Sequence, residues 1–390
     1  MKHQQLILRS FQLTKSKLCK PKNLRDKYSF STSSNNLKII DLRSDTITKP
    51  TPEMLQSAIS APLGDDVYDE DPTVHALQDY AADLFGKHAA LFVPTGTMSN
   101  LCAILSHCHE RASEIIIGSN SHLAIYEGGN VSNMGGVSTR QLEEDSNGRF
   151  QLSKIQDLIR LDNDDHYAKT QVICLENTHN TLGGISLPKS YIDEVGRFAK
   201  SRNLKVHVDG ARIFNAATAQ NTPVKSLNEH ADSVSVCLSK GLGAPLGSVL
   251  VGDTEFIRLA KRVRKRAGGG MRQVGVVAAM GLHALQHHVE RIQDDHDRAK
   301  RLAKELQRFG FYIPREGAVD SNLVFFGLPE ESLVNLDNFS EELQKQFGVK
   351  IYGGYSEGGR LFRAAMHLDV SNEDVDKAAE AIINLCCSLK

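Results

Sequence analysis

Short apolar runs alternate with longer amphipathic segments from residue 85 onward, and this alternation constrains the fold of the chain most strongly. The runs with the length and composition of β-strands are Ala89–Val93, Ile115–Ile117, Gln171–Glu176, Leu204–Val208 and Asp232–Leu238. Helical spacing (i, i+3, i+4, i+7) follows the first run, at Leu101, Ile104, Leu105 and Cys108. Ser190–Arg202 is helix-like and Asn215–His230 is mixed. The order strand, helix, strand predicts an α/β fold of parallel βαβ units with right-handed crossovers.

The chain is long enough for two domains, since its 390 residues exceed the size at which one hydrophobic core stops growing. Leu282–Phe309 reads as one long helical stretch that is dense in charge. We expect this stretch to lead from a large domain, residues 38–285, into a smaller C-terminal α/β domain, residues 286–390.

Charge and hydropathy exclude several classes of protein. A formal net charge of −1 provides no overall field that would recruit nucleic acid. Arg258–Arg266 is strongly basic, but no aromatic residues for base stacking are interleaved with it, and a solvated helix face is the simpler interpretation. No apolar run approaches the roughly 20 residues that span a bilayer. The seven scattered cysteines form no CxxC pair, which argues against a zinc site or a disulfide framework. We therefore expect no bound metal and no nucleic-acid or membrane partner.

Residues 1–37 differ in kind from the rest of the chain. They contain eight Lys or Arg residues and one acid, Asp26, and they are rich in Ser and Thr. Basic, acid-poor and Ser-rich composition is typical of a mitochondrial transit peptide, so the segment predicts a mitochondrial location. The alternative is a disordered extension on a cytoplasmic protein, which the low number of arginines favours.

Function in parallel sheets collects at the carboxyl ends of strands, and three turns lie there. The first, Pro94–Asn100, places Gly96 and Thr97 where a helix N-terminus could bind a phosphate, although an ordinary N-cap has the same composition. The second ends a strand with Asp209, which could hold a ring nitrogen protonated or simply cap the next helix. The third delivers Lys240 into a loop rich in Gly and apolar residues, where a desolvated amine becomes nucleophilic toward an aldehyde; alone it would be read as a surface lysine.

The order of the three turns decides between these alternatives. A phosphate turn, then a strand-end Asp209, then Lys240 is the order expected of pyridoxal phosphate (PLP) enzymes with the aspartate aminotransferase fold. We therefore expect PLP as the cofactor and amino acids as the substrates.

The chain resembles the L-threonine aldolases over about residues 38 to 385. The resemblance rests on motifs that occur together in order: DLRSDT at 41–46, GDDVYDEDPTVHALQ at 64–78, PTGTMSN at 94–100, ENTHN at 176–180, HVDGARIFNA at 207–216, LSKGLGAPLGS at 238–248, GGGMRQ at 268–273 and HLDVS at 367–371. It implies PLP fold type I, with a mostly parallel seven-stranded sheet flanked by helices. It also implies cleavage of L-threonine or L-allo-threonine to glycine and acetaldehyde, with another β-eliminating PLP lyase as the alternative.

The resemblance also implies roles for individual residues. Lys240 would form the Schiff base with PLP, Asp209 would contact the pyridinium nitrogen, and Gly96 with Thr97 would bind the phosphate. His122 would stack on the cofactor ring. The substrate carboxylate would be held by Ser44, Arg212 and Arg363.

Two further roles follow from the same resemblance. Arg272 would reach the phosphate of a neighbouring subunit, which implies a homo-oligomer and most often a tetramer. His166 would be a second active-site histidine that handles the substrate hydroxyl. The base that removes the hydroxyl proton is left open between His122, His166 and a water molecule that they order.

Overall fold

In the computed structural model, the apolar runs form the predicted strands of a seven-stranded sheet. The structure describes residues 38–160, 164–330, 332, 335–355 and 359–387, so the predicted targeting segment lies outside the described residues. The strands are β1 (Ile40–Asp41), β2 (Ala89–Val93), β3 (Ser113–Gly118), β4 (Ser138–Leu142), β5 (Lys169–Glu176), β6 (Lys205–Gly210), β7 (Ser233–Cys237), β8 (Ser248–Gly252), β9 (Leu323–Phe326), β10 (Val349–Lys350), β11 (Tyr352–Tyr355) and β12 (Leu361–Ala365).

The helices lie between these strands and cover both faces of the large sheet. They are α1 (Pro52–Ile59), α2 (Pro72–Phe85), α3 (Gly96–His107), α4 (His122–Ile125), α5 (Asn130–Asn133), α6 (Leu152–Leu158), α7 (Lys189–Lys200), α8 (Ile213–Ala219), α9 (Val224–Leu227), α10 (Thr254–Arg266), α11 (Gly275–His287), α12 (Ile292–Arg308), α13 (Phe339–Phe347) and α14 (Asn372–Cys387). None of the helices in the described part of the chain has the length and hydrophobicity that a bilayer crossing requires.

The large sheet has the strand order β2-β8-β7-β6-β5-β3-β4. Strands β3 to β7 pair in parallel, and β8 runs antiparallel to both of its neighbours. Because β2 and β7 are both antiparallel to β8, β2 points the same way as the parallel strands. The expected mostly parallel seven-stranded sheet is confirmed, and six of its strands end at the same edge.

A smaller α/β layer follows in the C-terminal part of the chain, as expected. Strands β11, β12 and β9 form an antiparallel sheet, and β1 pairs in parallel with β10. One apolar core lies between this sheet and helices α12, α13 and α14, separate from the cores on the two faces of the large sheet. The described residues from Ile39 onward form one compact unit, and the division between 38–285 and 286–390 stays a prediction.

The single helix expected over Leu282–Phe309 is wrong in detail. Helix α11 stops at His287 and α12 begins at Ile292. The residues between them bind a neighbouring loop: His288 Nδ1 lies 2.8 Å from the carbonyl oxygen of Leu242, and Arg291 donates to that of Gly241 at 3.1 Å. These contacts hold the segment between the two helices against the loop that carries Lys240, which explains why the helix is interrupted here.

The basic segment Arg258–Arg266 lies on α10 and is not uniformly solvated. The Arg264 side chain is 3% exposed, and it donates to Asp66 at 2.7 Å and to the carbonyl oxygen of Phe92 at 2.6 Å. Lys261 pairs with Asp69. Part of this basic face therefore anchors the loop that contains GDDVYDED at 64–71.

Candidate active site

Candidate functional residues from four strand ends lie together at the carboxyl edge of the large sheet. Gly96 begins the helix that follows β2, His122 begins the helix that follows β3, Asp209 lies near the end of β6, and Lys240 follows β7. Parallel strands bring their carboxyl ends together, so residues distant in sequence become neighbours here.

His122 and Asp209 form the centre of this edge. Their polar side-chain atoms, with those of Glu127, lie within 4.8 Å of one another. His122 Nδ1 lies 3.0 Å from Glu127 Oε1, and the Asp209 carboxylate accepts from Asn100 Nδ2 at 2.9 Å. Burial lowers the pKa of His122, but the hydrogen bond to Glu127 and the charge of Asp209 outweigh burial and raise that pKa overall.

Lys240 is half-buried beside this centre, in a loop that a backbone hydrogen bond closes. Its carbonyl oxygen accepts from the N–H of Gly243 at 2.8 Å, and Gly243 has a φ of +78°, a conformation that favours glycine. The positive charge of Lys240 acts on both Asp45 and His122. The strand-end lysine thus belongs to the same cluster as Asp209.

The N-terminus of α3 faces the same edge. Thr95 caps this helix, its hydroxyl accepting from the N–H of Met98 at 3.1 Å. The N–H groups of Gly96 and Thr97 lie in the first turn, where an α-helix provides no acceptor, and the helix dipole favours an anion there. A Cβ atom at Gly96 would lie 2.7 Å from the Cys237 sulfur, so only glycine fits this position without displacing its neighbour.

A buried ion pair lies beside the cluster, between Arg212 and Asp45. Arg212 Nε and Nη2 donate to the two carboxylate oxygens of Asp45, each at 2.7 Å. Asn322 also donates to Asp45, at 3.1 Å. Burial raises the pKa of Asp45, but the charges of Arg212 and Lys240 more than compensate and hold it well below its usual range.

Arg363 lies on β12 and is 5% exposed. Its Nη1 donates to Asn180 Oδ1 at 2.9 Å, its Nη2 donates to the carbonyl oxygen of Arg43 at 2.9 Å, and its guanidinium lies 5.0 Å from the centre of the Tyr355 ring. The Nε atom is buried and has no acceptor within the described residues. Burial and the charge of Arg212 lower the pKa of Arg363. A guanidinium has the charge and the planar donors that suit a carboxylate, so Arg363 is a candidate ligand for one.

Ser44 is the third residue predicted to hold the substrate carboxylate, and in this structure it serves as a cap. Its hydroxyl accepts from the N–H of Thr46 at 3.3 Å and from the Thr46 hydroxyl at 3.0 Å. It directly precedes Asp45, so it lies next to the Arg212 ion pair.

The structure does not bring His166 to this cluster. Its side chain is 88% exposed and pairs with Asp164 at 2.8 Å. His166 comes just before β5 begins at Lys169, and the start of a parallel strand lies at the edge opposite its end. A role for His166 in the site of its own chain is therefore not supported.

Arg272 also lies away from the cluster. Its side chain is 56% exposed, its Nη1 donates to Asp65 at 2.8 Å, and its guanidinium lies 5.7 Å from the centre of the Tyr68 ring. The predicted contact with a neighbouring subunit is not tested within one chain.

Sequence reasoning missed several residues of the site. Glu176 accepts from the N–H of His122 at 2.6 Å and from that of Asn180 at 2.8 Å, so it joins two loops. Asn180 accepts from both Arg212 and Arg363. Four of the missed residues lie inside the motifs given above, namely Asp45, Asn100, Glu176 and Asn180, whereas Glu127 lies outside them, five residues after His122. Motif membership was the signal that could have identified those four.

The donor set fits PLP. The cluster supplies a half-buried amine, a buried carboxylate, a helix N-terminus for a phosphate and a histidine ring beside the carboxylate. The Arg363 guanidinium could hold the carboxylate of an amino acid. These are the contacts that a phosphorylated pyridine aldehyde and an amino-acid substrate need.

Comparison with known proteins agrees with this geometry. Residues 41–328 match the family described as beta-eliminating lyase. A low specificity L-threonine aldolase from Escherichia coli O157:H7 is 45% identical over 341 residues, which cover 87% of this chain and 97% of that protein. A probable low-specificity L-threonine aldolase 2 from Arabidopsis thaliana is 43% identical over 341 residues, covering 87% and 95%. The structure of a putative L-allo-threonine aldolase from Listeria monocytogenes superimposes with a TM-score of 0.72 at 19% identity, covering 88% and 96%.

Proposed function

The chain belongs to the beta-eliminating lyase family, and from this premise we infer that it is a PLP-dependent L-threonine aldolase. It cleaves L-threonine and L-allo-threonine to glycine and acetaldehyde. Its place in metabolism is threonine breakdown with formation of glycine.

The observation that carries this proposal is the convergence of Lys240, Asp209 and His122 on one sheet edge. The convergence occurs in a chain that matches threonine aldolases over nearly their full length, at 45% identity in the bacterial case. Asn180 accepts from both Arg212 and Arg363 beside the same edge, so it holds the two cations next to each other.

PLP, when bound, withdraws electrons from the Cα atom of an attached amino acid. Lys240 would hold the cofactor through its amine, and Asp209 would keep a proton on the ring nitrogen. The first-turn N–H groups of Gly96 and Thr97 would bind the phosphate. His122 would cover the ring, held in place by Glu127 on its Nδ1 side.

Orientation of the substrate depends on its carboxylate. The guanidinium of Arg363 would bind it, close to Ser44. Arg212 has two of its donor groups on Asp45, so it would act partly by fixing that wall of the site. By holding the carboxylate, Arg363 and the residues around it would fix the orientation of the substrate and so select the Cα–Cβ bond for cleavage over the other bonds of Cα.

We propose His122 as the base that takes the proton of the β-hydroxyl group. Its Nδ1 faces the Glu127 carboxylate at 3.0 Å, which can only accept, so Nδ1 carries the hydrogen of the neutral ring. The Nε2 atom is then the bare nitrogen that can take the hydroxyl proton. His166 lies at the opposite edge of the sheet in its own chain.

The test combines a cofactor measurement with a product measurement. The purified wild-type chain with added PLP is expected to show a visible absorbance band and to release glycine and acetaldehyde from L-threonine. The Lys240→Ala variant should lose both. Lys377→Ala is a matched control, since Lys377 pairs with Glu373 on the surface at 56% side-chain exposure. If the wild-type protein shows no visible band with added PLP, the proposal that PLP is the cofactor is contradicted. If the products are a keto acid and ammonia and not glycine, the protein is another β-eliminating lyase.

We further propose that the chain assembles as a homo-oligomer, most simply a tetramer. Large apolar side chains are exposed on α1, after it and on α11: Leu55 at 48%, Ile59 at 78%, Leu63 at 47% and Val276 at 39%. Helices α1 and α11 pack together, and a contiguous exposed apolar patch usually marks an interface. Sedimentation equilibrium of the full chain measures the mass, and a monomer at micromolar concentration would contradict the proposal.

We also propose that residues 1–37 direct the chain to mitochondria. The support is their composition alone: eight Lys or Arg residues, one acid, and many Ser and Thr residues. A fluorescent protein fused after residue 37 should enter mitochondria, whereas a diffuse cytoplasmic signal would favour the alternative.

A further inference from the structure

Asn100 lies between two buried carboxylates. Its Nδ2 is 2.8 Å from Glu127 Oε1 and 2.9 Å from Asp209 Oδ2. Ionised carboxylates accept hydrogen bonds and donate none, so the atom that faces them must be the amide nitrogen. Both of its hydrogens are then used, and the Asn100 oxygen must point the other way.

The Asn100 oxygen faces His207, and this contact determines the tautomer of His207. Asn100 Oδ1 lies 3.1 Å from His207 Nε2, which must therefore carry a hydrogen. Burial lowers the pKa of His207 to about 4, against the opposing effect of the Asp209 charge, so the ring is neutral near pH 7. The Nδ1 atom of a neutral ring that is protonated at Nε2 is bare and can only accept.

Ser233 continues the chain of contacts. Its hydroxyl oxygen lies 2.9 Å from His207 Nδ1, so Ser233 donates to His207. The same oxygen lies 2.8 Å from His107 Nε2, and His107 must donate to it because the only hydrogen of the hydroxyl is already used. Burial lowers the pKa of His107 well below its usual value, and its ring stacks on Phe256 with centroids 4.3 Å apart.

We propose that His107, Ser233, His207 and Asn100 form a one-directional chain of hydrogen bonds that positions the Asp209 carboxylate for the cofactor ring nitrogen. Every donor in the chain points toward Asp209: His107 to Ser233, Ser233 to His207, His207 to Asn100, and Asn100 to Asp209. The inference rests on the proposed function, because it assigns a purpose to Asp209 as the ring-nitrogen partner.

The direction of the chain gives it an effect that packing alone does not provide. Aligned hydrogen bonds polarise one another, so the Asn100 amide becomes a stronger donor to Asp209. Asn100 donates to Glu127 at the same time, which couples the orientation of His122 to that of Asp209. These four are positioning residues that act through Asp209 and Glu127.

Two serines on β7 provide a matched comparison. Ser233 and Ser235 are both fully buried and lie two residues apart, so their side chains point to the same face. The Ser233 hydroxyl belongs to the chain of hydrogen bonds, whereas the Ser235 hydroxyl has no partner among the described residues. Ser233→Ala and Ser235→Ala therefore each remove a buried hydroxyl group from the same strand, and only Ser233→Ala interrupts the chain of hydrogen bonds.

The experiment measures PLP affinity by equilibrium dialysis of the full chain, together with kcat and KM for L-threonine. Ser233→Ala is expected to raise the PLP dissociation constant and lower kcat, each by about threefold to tenfold, with little change in KM, because one buried hydrogen bond is lost. Ser235→Ala, which lies opposite Asp209 on β6 but outside this series of hydrogen bonds, should change the PLP dissociation constant and kcat much less than Ser233→Ala does. Equal effects of the two substitutions would overturn the proposal.

A second pair of variants tests the next link and does not depend on the folding of the first. His207→Gln retains an N–H at the position of Nε2, whereas His207→Leu removes both nitrogens. PLP affinity should stay near the wild-type value with glutamine and fall with leucine, and equal losses would overturn the proposal. A wild-type chain that binds no PLP would instead contradict the proposed function.

Discussion

The guanidinium of Arg212 donates two parallel hydrogen bonds to the Asp45 carboxylate, both at 2.7 Å, and neither side chain is more than 4% exposed. The two residues are far apart in sequence, and their contact joins the segment before α1 to the turn after β6. A residue predicted to bind the substrate carboxylate thus already binds a carboxylate of its own chain. Arg363, which binds no carboxylate among the described residues, is left as the stronger ligand for the substrate.

Replacement of Asp45 by Asn should therefore affect both stability and substrate binding. It leaves the buried Arg212 cation uncompensated, and breaking a buried pair in this way costs about 3 to 5 kcal/mol. We expect that loss in the free energy of urea unfolding and a higher KM for L-threonine. Asp41→Asn is the control, because Asp41 pairs with Arg43 at partly exposed positions, where a pair contributes about 1 kcal/mol or less. Equal losses in the two variants would contradict this prediction.

The sequence predicted the parallel strands because they are buried on both faces and so form continuous apolar runs. It did not reveal β4, whose residues Ser138–Leu142 lie at the sheet edge and are exposed or only partly buried, so no apolar pattern marks them. The strand-end residues Asp209 and Lys240 could be predicted because topology alone brings strand ends together. Asp45 could not, because its place depends on the tertiary contact with Arg212. The sequence did not show that the loop of His166 precedes β5, which places it at the edge of the sheet opposite the site of its own chain.

Arg363→Lys should impair substrate binding more than cofactor binding. Lysine keeps the charge but lacks the planar fork that donates to Asn180 and to the carbonyl oxygen of Arg43, and it has no equivalent of Nε. Loss of charged hydrogen bonds predicts a KM for L-threonine about 10- to 100-fold higher. Steady-state kinetics measures KM, and the visible band of bound PLP should persist.

The control for Arg363 is Arg301→Lys. Arg301 pairs with Asp376 on the surface, where both side chains are 52% exposed, so its replacement should leave KM unchanged. An Arg363→Lys variant that loses PLP and keeps its KM would show that Arg363 supports the cofactor and not the substrate.

Gly96→Ala should weaken PLP binding through a steric conflict. The new Cβ atom would lie 2.7 Å from the Cys237 sulfur and push the first turn of α3 out of place. Overpacking of this kind costs about 1 to 3 kcal/mol, and we expect the PLP dissociation constant to rise. Adding Cys237→Ala makes room for the Cβ atom and should recover much of the affinity.

The control for the steric prediction is Gly327→Ala. A Cβ atom there would meet its nearest neighbour, Leu361 Cδ2, at 3.5 Å, which is an ordinary contact. PLP affinity should then be unaffected. If the Cys237→Ala change fails to improve the Gly96→Ala variant, the sulfur contact is not the cause of the loss.

His296 should make the stability of the protein depend on pH between about 4 and 6.5. Burial lowers the pKa of His296 to about 4, and its Nε2 lies 3.2 Å from Asn215 Nδ2, from which it accepts. Between these pH values the unfolded chain binds a proton at His296 that the folded chain does not. The free energy of unfolding therefore falls as pH falls, by up to about 1.4 kcal/mol per pH unit for this residue.

His296→Gln should remove that dependence, because glutamine can accept from Asn215 and does not titrate. The difference between the wild-type and variant unfolding free energies, measured by urea denaturation at pH 7, 6, 5 and 4.5, should grow in favour of the variant as pH falls. His166→Gln is the control, since the His166 side chain is 88% exposed and lies in a surface loop. If the free energies of unfolding of the wild type and of His296→Gln change in parallel with pH over this range, His296 takes up its proton in the folded state. That result would contradict the prediction that its buried ring is neutral.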